Sequence, residues 1–128
     1  MEKKNLRSAS APAVIGPYSQ AVKYGNLIFL SGQIPIDPST GNITADTIES
    51  QTHQVLKNIK NFLEDNRLSL KHVIKTTVFV NNIDDFSKIN EIYSQYFTED
   101  FPARSLVEVS RLPKNALIEI ECICAAEN

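Results

Sequence analysis

The chain has 128 residues, 42% of them apolar and 22% charged, with a formal charge of −2. That length makes one domain, residues 1–128, which buries roughly two-thirds of the surface its unfolded chain exposes, so it needs no staples. Recurrent Leu, Ile, Val and Phe exclude a disordered chain, and the slight acidity argues against a field that gathers a nucleic-acid backbone.

Residues 1–6 are not followed by an apolar run, so the sequence shows no signal peptide. The longest apolar stretch, residues 27–30, is far too short to span a bilayer, and a cytoplasmic protein is expected. Residues 7–18, rich in Ser, Ala and Pro, read as an extended arm broken at Gly16-Pro17. A first strand is predicted over 19–24, ending at the turn signal Gly25-Asn26. Leu27-Ile28-Phe29-Leu30 is a second strand, and its unbroken apolar run predicts cover on both faces. Ser31-Gly32-Gln33 closes it, and residues 37–42 form a loop.

Asp46 with Glu49 three residues on predicts a capped helix start. Ile48, Thr52, Val55, Leu56, Ile59, Phe62 and Leu63 then form one helical stripe, which ends near Asn66. Residues 73–80 are a β-branched strand. Asp84 is the expected N-cap of a second helix, marked by Phe86, Ile89, Tyr93, Tyr96 and Phe97. Pro102 breaks the chain, residues 105–109 are a strand, 112–115 a turn, and 117–125 a last long strand.

The predicted order is β-β-α-β-α-β-β, an α+β domain. Two helices cover only one face of a sheet of about five or six strands. In the last strand Ile118, Ile120, Cys122 and Cys124 make an apolar face, while Leu117, Glu119, Glu121, Ile123 and Ala125 make a mixed one. With no intrachain element left for that second face, burial against other copies is expected, as dimer or trimer.

The motifs of familiar chemistry are missing. The four glycines form no phosphate or dinucleotide loop, and there is no nucleophile elbow. His53 and His72 are 19 residues apart, and Cys122 and Cys124 lack a second Cys pair, so no metal site is expected. Alternate strand residues stand ~7 Å apart, so the cysteines read as reduced, buried thiols. Polar residues do gather at strand ends. By periodicity alone Tyr18 packs, Ser31 caps, Arg104 is a surface charge, and Glu119 pairs with it across the sheet.

Taken together, these segments resemble the Rid family, the reactive intermediate deaminases, also called the YjgF family. The matching parts are Gly16-Pro17-Tyr18-Ser19-Gln20-Ala21, Ser31-Gly32-Gln33-Ile34-Pro35, Val73-Ile74-Lys75-Thr76-Thr77-Val78, Asp85-Phe86 with Asn90-Glu91-Ile92-Tyr93, Phe101-Pro102-Ala103-Arg104-Ser105, and Leu112-Pro113 with Ile118-Glu119-Ile120-Glu121. Each is weak alone; all of them in order are specific.

The resemblance implies a chorismate-mutase-like fold and a homotrimer. The sheets would form an inner barrel, with a ligand cleft at each subunit interface. It implies hydrolysis of 2-imino acids and their enamine tautomers, such as 2-iminobutanoate and 2-iminopropanoate, to 2-oxo acids and ammonia, without a cofactor. By that resemblance Arg104 clamps the carboxylate and Glu119 handles water and protons. Tyr18, Ser31 and Gly32 line the cleft, and Asn90 lies near it. Many members carry Cys where this chain has Leu106, so Leu106 is expected to serve through its backbone. Two other readings remain: a trimeric sensor that uses the Arg104 clamp without turnover, and an RNA-cleaving translation inhibitor. The acidic balance and the lack of a basic, aromatic-studded stripe weigh against the second.

Overall fold

In a computed structural model, which describes residues 1–126, the chain runs β1 (Lys3–Leu6), β2 (Ala21–Tyr24), β3 (Leu27–Gln33), α1 (Ile48–Asp65), β4 (Val73–Val80), α2 (Phe86–Tyr96), β5 (Ala103–Glu108) and β6 (Ile118–Ala125). Residues 127 and 128 of the expected domain lie outside the described part. The strands form one mixed sheet in the order β1-β2-β3-β6-β4-β5. Every neighbouring pair is antiparallel except β4 and β5. A parallel pair needs a crossover connection, and α2 supplies it. This is the α+β sheet with two helices that the sequence predicts.

The core lies between the sheet and α1. Val55, Leu56, Ile59, Phe62 and Leu63, one stripe of α1, are buried with Ile28, Leu30, Val78, Val80, Ile118, Ile120, Cys122 and Cys124. Each buried aliphatic side chain of this kind contributes about 1.5–3 kcal/mol. The buried polar groups of α1 fix loops. Asn58 donates to Ile36 O at 2.8 Å. Gln51 donates to Ala45 O at 3.0 Å and accepts from Leu117 N at 2.8 Å. The segment after β3 and the approach to β6 are thereby tied to one helix.

Several boundaries differ from those read in sequence. The cap of α1 is Thr47, not Asp46: Thr47 Oγ1 accepts from Ser50 N, and Ser50 Oγ accepts from Thr47 N, each at 3.1 Å. Asp84 is not the cap before α2 either. Asn82 accepts from Asp84 N at the head of a short 3-10 turn, Ile83–Asp85, that leads into the helix. Neighbouring residues able to cap compete, and backbone direction selects one. Strand β1 was not expected at all. It has no apolar alternation; its pairing is between backbones at a sheet edge, and its lysines suit such an edge.

Residues 27–30 are covered on one face only within the chain. Ile28 and Leu30 are buried, whereas Leu27 and Phe29 are 40% and 44% exposed. They share the open face of the sheet with Glu119, Glu121 and Ile123 of β6, as the pairing of Phe29 with Ile123 requires. Between Leu30 and Gln33 the register with β6 slips by one residue, a bulge at Ser31-Gly32. Bulges re-aim side chains and are common beside binding sites.

Candidate active site

Arg104 lies on the helix-facing side of β5, level with Thr76 of β4. Its guanidinium is built in from α2. Nη1 donates to Asn90 Oδ1 at 2.7 Å. The guanidinium carbon sits 4.9 Å from the Tyr93 ring centre and 5.9 Å from that of Phe86. Phe86, Asn90 and Tyr93 are spaced i, i+4, i+7, one stripe of the helix. Tyr93 is itself pinned: its hydroxyl pairs with Thr76 Oγ1 at 2.8 Å, and its ring stacks obliquely on Phe97 at 4.7 Å. Burial raises the Tyr93 phenol above its ordinary range, against the opposing hydrogen bond from Thr76 and the charge of Arg104. Among the described residues no carboxylate pairs with Arg104. Leu106, two residues on, shares the Arg104 face and packs partly against the core.

Glu119 belongs to a second cluster, on the open face. Its carboxylate reaches over Gly32 of the β3 bulge, so close that a methyl group there would stand 2.3 Å from Oε2. Half-burial raises its pKa above the ordinary glutamate value, and the neighbouring charge of Glu121 adds to the shift. Gly32 lines a cleft of about 230 Å³ together with Tyr18, Gln33, Ile34, Pro113 and Lys114. Tyr18 arrives on the arm and is 54% exposed. The arm is held by Ser31, whose hydroxyl donates to Ser19 O at 2.6 Å, and by Gln20, whose Oε1 accepts from Ser8 N at 2.7 Å. Its outer end is tied to α1, where the hydroxyls of Ser10 and Ser8 donate to Asp65 and hold that carboxyl below its ordinary range. A larger cleft of about 480 Å³ shares Tyr18 and Gln20 but reaches neither Gly32 nor Arg104.

The expected site residues therefore fall into two groups. Arg104, Asn90 and Leu106 sit together at the β5–α2 edge; Tyr18, Ser31, Gly32 and Glu119 sit together around the bulge. One copy of the chain does not join them, because Arg104 points to the helices and Glu119 to the open face. The simple reading in which Glu119 pairs with Arg104 across the sheet fails for that reason. Asn90 serves Arg104 directly. Phe86 and Tyr93, read in sequence as a packing stripe, prove to be the walls around the guanidinium. The i, i+4, i+7 spacing about Asn90 was the signal that could have shown it.

Cys122 and Cys124 are free and buried on the helix face, away from Glu119. A hydrogen bond to Cys124, and burial, push the Cys122 thiol well up, so it stays protonated. His53 meets Tyr96 Oη at 3.2 Å between the two helices, and His72 accepts from Ser69 N. Among the described residues no helix is long and apolar enough to cross a membrane.

Residues 8–126 match the family model described as Endoribonuclease L-PSP. A RutC family protein of Pyrococcus abyssi is 54% identical over 127 residues, spanning 99% of this chain and all of that one. A protein of Escherichia coli named 2-iminobutanoate/2-iminopropanoate deaminase is 49% identical over 123 residues, 94% of this chain and 95% of its own length. Among solved structures, E. coli TdcF with bound serine superposes with a TM-score of 0.90 at 43% identity, covering 97% of this chain and 99% of that one.

Proposed function

The chain belongs to the Endoribonuclease L-PSP family, to which Rid-type deaminases belong, and from that membership we propose that it hydrolyses 2-imino acids such as 2-iminobutanoate and 2-iminopropanoate to 2-oxo acids and ammonia. The observation that carries this reading is Arg104: a half-buried guanidinium, stacked on Tyr93 and fixed by Asn90, with no carboxylate partner of its own among the described residues. Asn90 occupies one N–H, and the remaining donors suit the two oxygens of a substrate carboxylate.

Held there, the imine carbon is presented to water, a proximity effect. The imine reacts in its protonated, iminium form: Glu119 takes one proton from the water as the water oxygen bonds to that carbon and the C=N π pair moves to nitrogen, giving a carbinolamine. Glu119 then returns that proton to the amine nitrogen, and as the C–N bond breaks the carbinol O–H proton passes to solvent, leaving the 2-oxo acid and ammonia. A raised pKa suits the role, because it makes the carboxylate a stronger base toward the attacking water. Tyr18 and Gly32 form the wall of the cleft on the Glu119 side. Leu106 serves through its backbone.

Both groups act on one substrate only if different copies contribute them. We place the cleft at a subunit interface of a homotrimer, with open sheet faces inward. Tyr24, Leu27, Phe29 and Val107, large side chains exposed on that face, support an interface there. Light scattering should give about three times the 14.3 kDa chain mass, and a stable, active monomer would contradict the shared cleft. The chemistry is tested by ammonia release from freshly generated 2-iminobutanoate. Wild type should accelerate it; Arg104→Ala should abolish most of that, and Arg104→Lys should restore little, since a point charge lacks the planar fork. A carboxylate sensor would bind without releasing ammonia. Wild-type turnover in Arg104→Ala would overturn the assignment.

A further inference from the structure

We infer that Tyr93 is a positioning residue for the carboxylate clamp: the face of its ring holds the Arg104 guanidinium in the plane from which it receives the substrate. The inference rests on the clamp role proposed for Arg104 and concerns what aims that side chain.

An arginine has four side-chain torsions and a large rotamer entropy to lose on binding. A clamp left to find its own orientation would spend much of its carboxylate affinity on that loss. Here the orientation is set beforehand from two directions. Asn90 Oδ1 fixes one edge of the guanidinium at 2.7 Å. The Tyr93 ring lies beneath it at 4.9 Å, inside the range of a cation–π contact. Phe86 stands farther off at 5.9 Å and is 47% exposed, so it is the looser wall.

What makes Tyr93 more than packing is how firmly it is held. Its hydroxyl pairs with Thr76 Oγ1, and Thr76 is 1% exposed and directly paired with Arg104 between β4 and β5. The strand residue beside Arg104 thus pins the far end of the ring on which Arg104 lies. Phe97 packs obliquely against the same ring, with centroids 4.7 Å apart. The sheet and the helix cannot shift against each other without moving both the ring and the guanidinium. The negative face of the ring also spreads across the flat cation, which keeps the N–H edges free for an in-plane carboxylate.

The test must separate this electrostatic contact from mere bulk. Fluorination drains charge from a ring face while nearly keeping its shape. We would compare Tyr93→Phe with its mono-, di- and trifluorinated forms. The readouts are kcat and KM for 2-iminobutanoate, and Kd for 2-oxobutanoate by titration calorimetry. A cation–π contact of ordinary strength predicts KM and Kd rising stepwise along the series, by about 2- to 30-fold in all, with kcat steady. If Tyr93→Phe does not fold for want of the Thr76 bond, mono- and difluorotyrosine at position 93 keep the hydroxyl and should show the same trend. Arg104→Ala is run beside them. Flat KM and Kd along the series, with 2-oxobutanoate binding lost in Arg104→Ala, would overturn the role of Tyr93 and leave the clamp standing. Wild-type binding in Arg104→Ala would overturn both.

Discussion

Gly32→Ala is the sharpest perturbation of the Glu119 half of the site. The backbone at Gly32 is not in the left-handed region, so alanine is conformationally acceptable there. Its methyl group, however, would lie 2.3 Å from Glu119 Oε2, 2.9 Å from Cδ and 3.3 Å from Cγ. Ordinary contacts between such atoms are about 3.5 Å, so the carboxylate oxygen has to retreat by more than about an ångström. The obstructing atoms are the end of a flexible side chain on the open face, so Glu119 swings aside and the sheet stays. A misplacement of about 1 Å in a catalytic group lowers turnover by about 10²-fold. The assay is ammonia release from 2-iminobutanoate, with thermal unfolding and 2-oxobutanoate binding measured on the same preparation. The expected result is kcat down by about 10²-fold with the unfolding temperature nearly unchanged. In Glu119→Gln the same Gly32→Ala change should add little, because the group it displaces is already disabled. Wild-type kcat in a folded Gly32→Ala protein would refute the reasoning; so would a full additional loss in the double variant.

Glu119→Gln should lose about 10²–10⁴-fold in turnover while still binding 2-oxobutanoate, as ammonia assay and calorimetry would show. It should also stabilise the protein near neutral pH. The folded-state pKa of Glu119 is raised, so the folded chain holds more protons there than the unfolded one. Stability therefore falls as pH rises from the ordinary glutamate value through the raised one. The Gln variant escapes this, and melting curves of the two proteins should converge below about pH 4. Glu121→Gln removes the like charge that helps raise Glu119, so the acidic limb of the kcat–pH profile should move to lower pH. Leu106→Cys restores the residue common in relatives and should keep turnover within the same order of magnitude. A gain of several orders would make the thiol the missing catalytic group and favour a sensor reading for the native chain.

The sequence by itself determined the elements with strong periodicity. The β-branched run at Val73–Val80, the α1 stripe ending at Asn66, and the alternation of Ile118, Ile120, Cys122 and Cys124 against Glu119 and Glu121 all appear where spacing alone predicts them. Burial enforces those periods residue by residue, so they can be read locally. Its ordered motifs, through the family resemblance, also single out Arg104 and Glu119, the residues proposed to hold a carboxylate and move a proton. Only the tertiary structure decided where those groups stand. Strand β1 exists because β2 offers it an edge, and no property of Lys3-Lys4-Asn5-Leu6 demands it. The bulge at Ser31-Gly32 depends on the register between β3 and β6, two strands far apart in the chain, and it is this slip that brings Gly32 under the Glu119 carboxylate. Arg104 faces α2 because the parallel pairing with β4 sets it level with Thr76. A one-residue shift would have turned it to the open face, since side chains alternate across a strand. The separation of the two halves of the site follows from that parity: pairing between distant strands fixes it, and local sequence does not carry it.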